Sequence, residues 1–240
     1  TFTLLDDGQC VGGTKQRLLG SLLQDIKQYE VIYAGPGSGY AQVALGYTAK
    51  LHGKKGVLFL NGSPDDLSSP LCRMALTFGV DIKIGSEYCN LQDAEAKALA
   101  YAKEDPENRL VLPFGLRTDR GQHTFELFKK ALTSCVREFP RAPSRLWIVA
   151  GSGFILDVLH SIWPSTKFMI VQVGKRVWRE VLEGKNYELF KAPERFGDLG
   201  LVQPPYSSVP WYDAKLWQFA VQHGMDGDCI WNVAAVPDNP

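Results

Sequence analysis

The sequence predicts an α/β protein built on open parallel sheets with helices on both faces. Three observations lead there. Short apolar runs alternate with stretches whose apolar residues recur at the helical period, the pattern of repeated strand–helix–strand units. The runs are mostly unbroken rather than alternating, as expected of strands covered on both sides. Two of them end in turns rich in glycine and serine, where a strand's C-terminal end meets a helix start and such folds gather ligands.

The elements follow in order. Leu18, Leu19, Leu22, Leu23 and Ile26 line one face at the helical period, so an amphipathic helix opens almost on Lys15. A strand at 30–34 runs into Gly35-Pro36-Gly37, and a helix is expected from Ser38 to about 51. A strand at 56–60 precedes a helix at 69–78 with Gly79 as its stop. Then come a strand at 81–84, an alanine-rich helix at 91–103 ended by Asp105-Pro106, and a strand at 109–112 stopped by Pro113. A long helix at 123–139 leads to a strand at 146–150, a helix at 154–163 and a buried strand at 167–173. Near the end, 213–223 reads as helix and 229–233 as a final strand. The stretch 197–211, with three prolines, is long for a connector, and long ordered loops often line sites.

Composition narrows the function classes. At 240 residues the chain makes one large or two small domains. Hydrophobic content of 45% and charged content of 22% are those of an ordinary globular protein. Formal net charge is zero, which gives no support for a nucleic-acid partner without excluding a local basic patch. No apolar run approaches the ~20 residues of a membrane span. The first residues do not read as a secretory signal, and Thr1 leads us to expect a processed or trimmed start. The five cysteines are odd in number and scattered, without a C-x-x-C, which points to reduced thiols and a cytoplasmic protein. The four histidines form no pair at ligand spacing, so a metal site is not expected.

The chemistry-bearing residues start at Gly12-Gly13-Thr14-Lys15-Gln16-Arg17. Lys15 stands at the positive end of a helix macrodipole, where a neutral amine is easier to hold than an ammonium. The preceding glycines let the backbone come close to another group. A lysine so placed suits Schiff-base chemistry; the bland reading is a solvated lysine on a turn. The two glycine turns are Ala34-Gly35-Pro36-Gly37-Ser38-Gly39-Tyr40 and Ala150-Gly151-Ser152-Gly153-Phe154. Each offers backbone amides suited to an anion and a serine able to cap the following helix. Neither is a dinucleotide fingerprint or a Walker loop, and a turn needed only for packing would look the same.

Together these blocks resemble the pyridoxal-phosphate enzymes of the tryptophan-synthase-β type, fold type II. The nearest group is the branch holding aminocyclopropane-carboxylate deaminase and D-cysteine desulfhydrase. Asp6-Asp7 with Gly12 to Arg17 is similar to the acidic pair and G-G-N-K-x-R element, whose lysine carries the cofactor. Ser38-Gly39-Tyr40-Ala41-Gln42 is similar to the S-N-[HQ] loop that receives the substrate carboxylate. Gly151-Ser152-Gly153 resembles the phosphate cup. Pro210-Trp211-Tyr212-Asp213-Ala214-Lys215 resembles P-x-Y-[ET]-G-K, in which the tyrosine faces substrate and the next side chain meets the pyridine nitrogen. The chain departs from the pattern at Leu18, where a phosphate-contacting lysine is common, at Gly39 in place of asparagine, and at Phe154-Ile155 after the cup.

The resemblance implies two open parallel-sheet domains with the cofactor in the cleft between them. The larger would take 1–28 with 115–240, the smaller 29–114 as an insertion. It implies pyridoxal 5'-phosphate as cofactor, a homodimer, and a lyase or deaminase acting at Cα of a small amino acid or amino-acid conjugate. Lys15, Ser38 and Tyr212 would be catalytic. Lys15, Gly151, Ser152, Gly153 and Asp213 would hold the cofactor, and Ser38, Gly39, Tyr40 and Gln42 the substrate. Each has a plain rival: Ser38 or Asp213 as helix caps, Tyr212 and Trp211 as core aromatics. Phe114, Trp211 and Trp231, with Gly39 and Tyr40, suggest a pocket altered from that of the small-substrate enzymes. Two further readings stay open. One is a decarboxylase or side-chain-cleaving enzyme on a bulkier conjugate, including an amino acid attached to a DNA base. The other is a non-catalytic phosphate-metabolite-binding protein.

Overall fold

The computed structural model describes the chain apart from residues 86–89, 117–120, 137–140, 175–176, 178 and 237–240. Among the described residues two compact units emerge, one of Thr1–Thr14 with 128–236, the other of Lys15–Leu127.

In the first unit β1 (Thr3–Asp6), β6 (Arg145–Ala150), β7 (Lys167–Gln172), β8 (Tyr187–Lys191) and β9 (Cys229–Asn232) form a five-stranded sheet in the order β1-β9-β6-β7-β8. Every pairing is parallel. Trp147, Val149, Met169, Val171 and Ile230 share one face, where Leu216 and Ala220 of the C-terminal helical segment cover them. The opposite face carries Phe168, which meets His160 of α6 (Phe154–Ile162) edge-on. Helices therefore lie on both faces.

In the second unit β2 (Glu30–Pro36), β3 (Lys55–Asn61), β4 (Asp81–Ile84) and β5 (Arg109–Leu112) make a parallel sheet in the order β4-β3-β2-β5. Ala94 and Ala98 of α4 (Leu91–Lys103) pack on Ile32, Ala34, Val57 and Phe59. Small alanines let that helix come close to the sheet. Leu45 and Gly46 of α2 (Ala41–Leu51) lie against Gly56, on the other face. α1 (Gly13–Asp25) buries Leu18, Leu19, Leu22 and Leu23, as its periodicity predicts.

Departures from expectation are local. α2 starts at Ala41 rather than Ser38, because Pro36 to Gly39 first closes a turn with the Gly39 amide donating to the Pro36 carbonyl. The segment expected as one helix from 213 is a 3-10 turn, Asp213–Leu216, followed by α8 (Trp217–His223). β1 and β8 were not expected. The first is only four residues long. The second is an edge strand with Glu188 and Lys191 inside it, so no apolar run marks it. The expected long helix is α5 (Gly121–Val136), and the rest of its predicted span lies outside the described residues.

Among the described residues no helix is long and apolar enough to cross a membrane, and no group of three or more potential ligands could hold a metal. Cys10, Cys72, Cys135 and Cys229 are not joined in disulfides, and Cys89 lies outside the described residues.

Candidate active site

The sequence motifs fall into two sets, one in each unit. In the first unit β6 ends at Ala150 and the chain turns through Gly151, Ser152 and Gly153 into α6. Gly153 is the N-cap at φ +77°, and a Cβ there would stand 2.5 Å from Val181 Cγ1, so the turn admits only glycine. Ser152 is exposed and does not cap the helix, contrary to the role its position allows. The opening amides of a helix lack partners within it, and here no side chain at the N-cap takes them.

Tyr212 comes to this turn. A Cβ on Gly151 would lie 2.9 Å from the Tyr212 hydroxyl, and a backbone hydrogen bond from Gly151 reaches it. Burial, together with the adjacent Asp213 carboxylate, holds the Tyr212 hydroxyl protonated well above neutral pH; the Gly151 bond acts the other way. Tyr212 is therefore a neutral hydroxyl, fit to donate and orient but not to serve as a phenolate base. Asp213 is 4% exposed. It opens the 3-10 turn, whose N-cap is Tyr212, so capping is not its task.

Phe196 meets Tyr212 edge-on, with ring centroids 6.4 Å apart, and is itself exposed. Lys215 is fully buried and its Nζ donates to the Arg195 carbonyl at 2.8 Å. Burial lowers its pKa, against the opposing pull of Glu194 and Asp198. It fastens the 194–200 loop. Trp231, expected near a pocket, is a core side chain whose indole donates to Thr14.

In the second unit Lys15 is half-buried in the first turn of α1. Leu18, one turn on, is buried, which closes that position to a phosphate-binding cation. Ser38 is exposed within the turn after β2 and does not cap α2, whose N-cap is Tyr40. Gly39 and Tyr40 are half-buried beside it. Gln42 is 1% exposed, and its Nε2 donates to the Gly37 carbonyl at 2.8 Å. It ties the turn to its own helix.

Sequence reasoning gave no individual role to four residues near these motifs. Asp7 and Thr14 form a buried pair before Lys15, Phe196 borders Tyr212, and Cys72 Sγ lies 3.7 Å from the Gly37 carbonyl. The Asp6-Asp7 pair was the one visible signal, without any indication of what each carboxylate does.

No protein-family profile matches the chain, and no curated protein matches it in sequence. Solved structures do. An ACC deaminase homologue is similar with a TM-score of 0.69 and 17% identity, over 93% of this chain and 79% of that one. The threonine deaminase of T.th. gives 0.68 and 13% over 99% and 87% of the two chains. The diaminopropionate ammonia lyase of Escherichia coli, in apo form, gives 0.63 and 12% over 98% and 78%. The chain has the fold of these deaminases and lyases, the two-sheet α/β architecture that its glycine and lysine motifs led us to expect.

Proposed function

We propose that this chain is a pyridoxal 5'-phosphate-dependent lyase or deaminase acting at Cα of a small amino acid or amino-acid conjugate. The observation that carries the reading is the meeting of Gly151 with Tyr212, distant in sequence and followed by the buried Asp213, in a fold shared with deaminases and ammonia lyases.

The residues fit such a cofactor. The Gly151–Gly153 turn, with no side chain at the helix N-cap, suits a phosphate through backbone amides, and Ser152 can add its hydroxyl. That route matters more here because Leu18 supplies no cation. The buried Asp213 carboxylate suits a ring nitrogen, whose protonated form it would favour. When bound, the cofactor draws electrons away from Cα and weakens the bonds there. Lys15 would supply the amine that holds the aldehyde and, once released, the base that takes the Cα proton. Tyr212 would orient the substrate as a neutral donor. Backbone amides around Ser38, Gly39 and Tyr40 would receive the substrate carboxylate, in a turn that Gln42 keeps in shape.

Visible absorbance of the purified protein, followed by borohydride reduction and peptide mass spectrometry, tests the reading. A cofactor mass on Lys15 and loss of colour in Lys15→Ala are expected. A protein that stays colourless with added pyridoxal phosphate, or a mass on Lys215, overturns it. A screen of D- and L-amino acids for spectral shifts, with product analysis for ammonia against carbon dioxide, then separates deamination from decarboxylation.

A further inference from the structure

We infer that Asp7, Thr14 and Trp231 form a positioning unit for Lys15, an inference that rests on the role proposed for that lysine. The three residues come from the turn just after β1, the start of α1 and β9. Thr14 Oγ1 lies 2.7 Å from Asp7 Oδ2 and 3.2 Å from the Val233 carbonyl, and its one proton goes to the nearer carboxylate. The same oxygen accepts the Trp231 indole N–H at 2.9 Å. The Thr14 amide donates to the Val233 carbonyl at 2.8 Å. Backbone and side chain of the residue before Lys15 are thus both bound to the β9 strand or its exit.

Gly13 completes the fastening. Its φ is +60°, and a Cβ would stand 2.4 Å from the Val233 carbonyl oxygen and 2.7 Å from Ala234 Cβ. The two carboxylates of the acidic pair divide the work. Asp6 receives the Gly8 amide and the Asn232 side chain, shaping the turn after β1. Asp7, 2% exposed, reaches Thr14.

The apolar anchor of α1 begins at Leu18, and helix ends fray when nothing beyond the ladder holds them. A burial of carboxylate, hydroxyl and indole N–H costs free energy unless all are paired, and here the pairings converge on the residue beside the reactive amine. Chemistry at such an amine is sensitive to displacements of about 1 Å. The unit fixes where the first turn of α1 begins, and with it the backbone that carries Lys15.

The test uses the full chain with pyridoxal 5'-phosphate as probe and borohydride trapping, reading the rate at which the mass appears on the Lys15 peptide. Thr14→Val keeps the shape and removes the hydroxyl; trapping at Lys15 should slow about tenfold and spread to surface lysines. Thr14→Ser should restore the rate to within about threefold. Trp231→Phe removes the indole N–H together with one buried ring; an intermediate loss, larger than that of a core change without the hydrogen bond, is expected, and it decides the matter if Thr14→Val does not fold. Ile32→Val, a core change in the four-stranded sheet, sets the effect of lost stability alone. Wild-type trapping rates in folded Thr14→Val or in Trp231→Phe, or an equal slowing in Ile32→Val, overturn the inference and leave the proposed function standing. Absence of the mass from Lys15 in the wild type overturns both.

Discussion

The two glycine turns read alike in sequence, yet the fold builds them by different means. The turn after β6 passes directly into α6 through Gly153, whose left-handed backbone is enclosed by Val181, while Gly151 abuts the Tyr212 hydroxyl. Neighbours shape it from outside. The turn after β2 spans four residues before α2, against three before α6, and is closed from within, by the Gln42 amide on the Gly37 carbonyl. In one, glycine is obligatory because space and φ both forbid a side chain. In the other, a buried amide does the holding and the serine is left at the surface. A serine in a glycine turn is therefore no guide to a cap.

Substitutions can break or sharpen this contrast. Gly153→Ala meets a positive φ and an overlap with Val181 together, and should destabilise the protein by about 3 kcal/mol in denaturant unfolding. A cost under about 1 kcal/mol would mean that the turn after β6 yields as easily as an ordinary loop. Gln42→Leu leaves the Gly37 carbonyl only the weak Cys72 thiol as a buried donor, and about 2 kcal/mol is expected from the same measurement. An unchanged midpoint would show the turn after β2 to be held by something other than that amide.

Gly151→Ala pushes only on the end of the Tyr212 side chain, which can shift. About 1 kcal/mol is expected, together with a change in tyrosine ultraviolet absorbance as the hydroxyl moves. A silent spectrum would argue that Tyr212 is not seated on the turn. Ser38→Ala should fall within about 0.5 kcal/mol of wild type, since the serine is exposed and caps nothing. A loss of ~1 kcal/mol, the worth of an N-cap, would restore the role denied to it here.

Much of the fold was legible because its signals are contiguous. The strands at 81–84 and 109–112 and the helix at 91–103 occupy the predicted residues. Ile82 and Ile84 alternating with Asp81 and Lys83 mark the first, the apolar Leu110-Val111-Leu112 stopped by Pro113 marks the second, and an alanine-rich stretch marks the third. β8 escaped notice because an edge strand can be exposed and charged, with Glu188 paired to Lys167 on the neighbouring strand. Of the candidate site, the place of Lys15 at the start of α1 and the strand-to-helix setting of Gly151–Gly153 were legible. The start of α2 was not, because nothing local distinguishes a serine in a turn from a serine at a cap.

By itself, then, the sequence determined the parallel α/β architecture, the buried leucine face of α1 and the place of the two glycine turns between a strand and a helix. Periodicity and apolar runs are written in neighbouring residues and need no partner to be read. Only the tertiary structure decided which polar groups converge. Asp7, Thr14 and Trp231 meet because β1 pairs with β9 in the register that sets Leu5 opposite Trp231. Tyr212 meets Gly151 because the 3-10 turn beginning at Asp213 packs against the sheet beside β6. A hydrogen bond across so long a stretch of chain depends on strand register, and register is settled by the packing of the whole sheet.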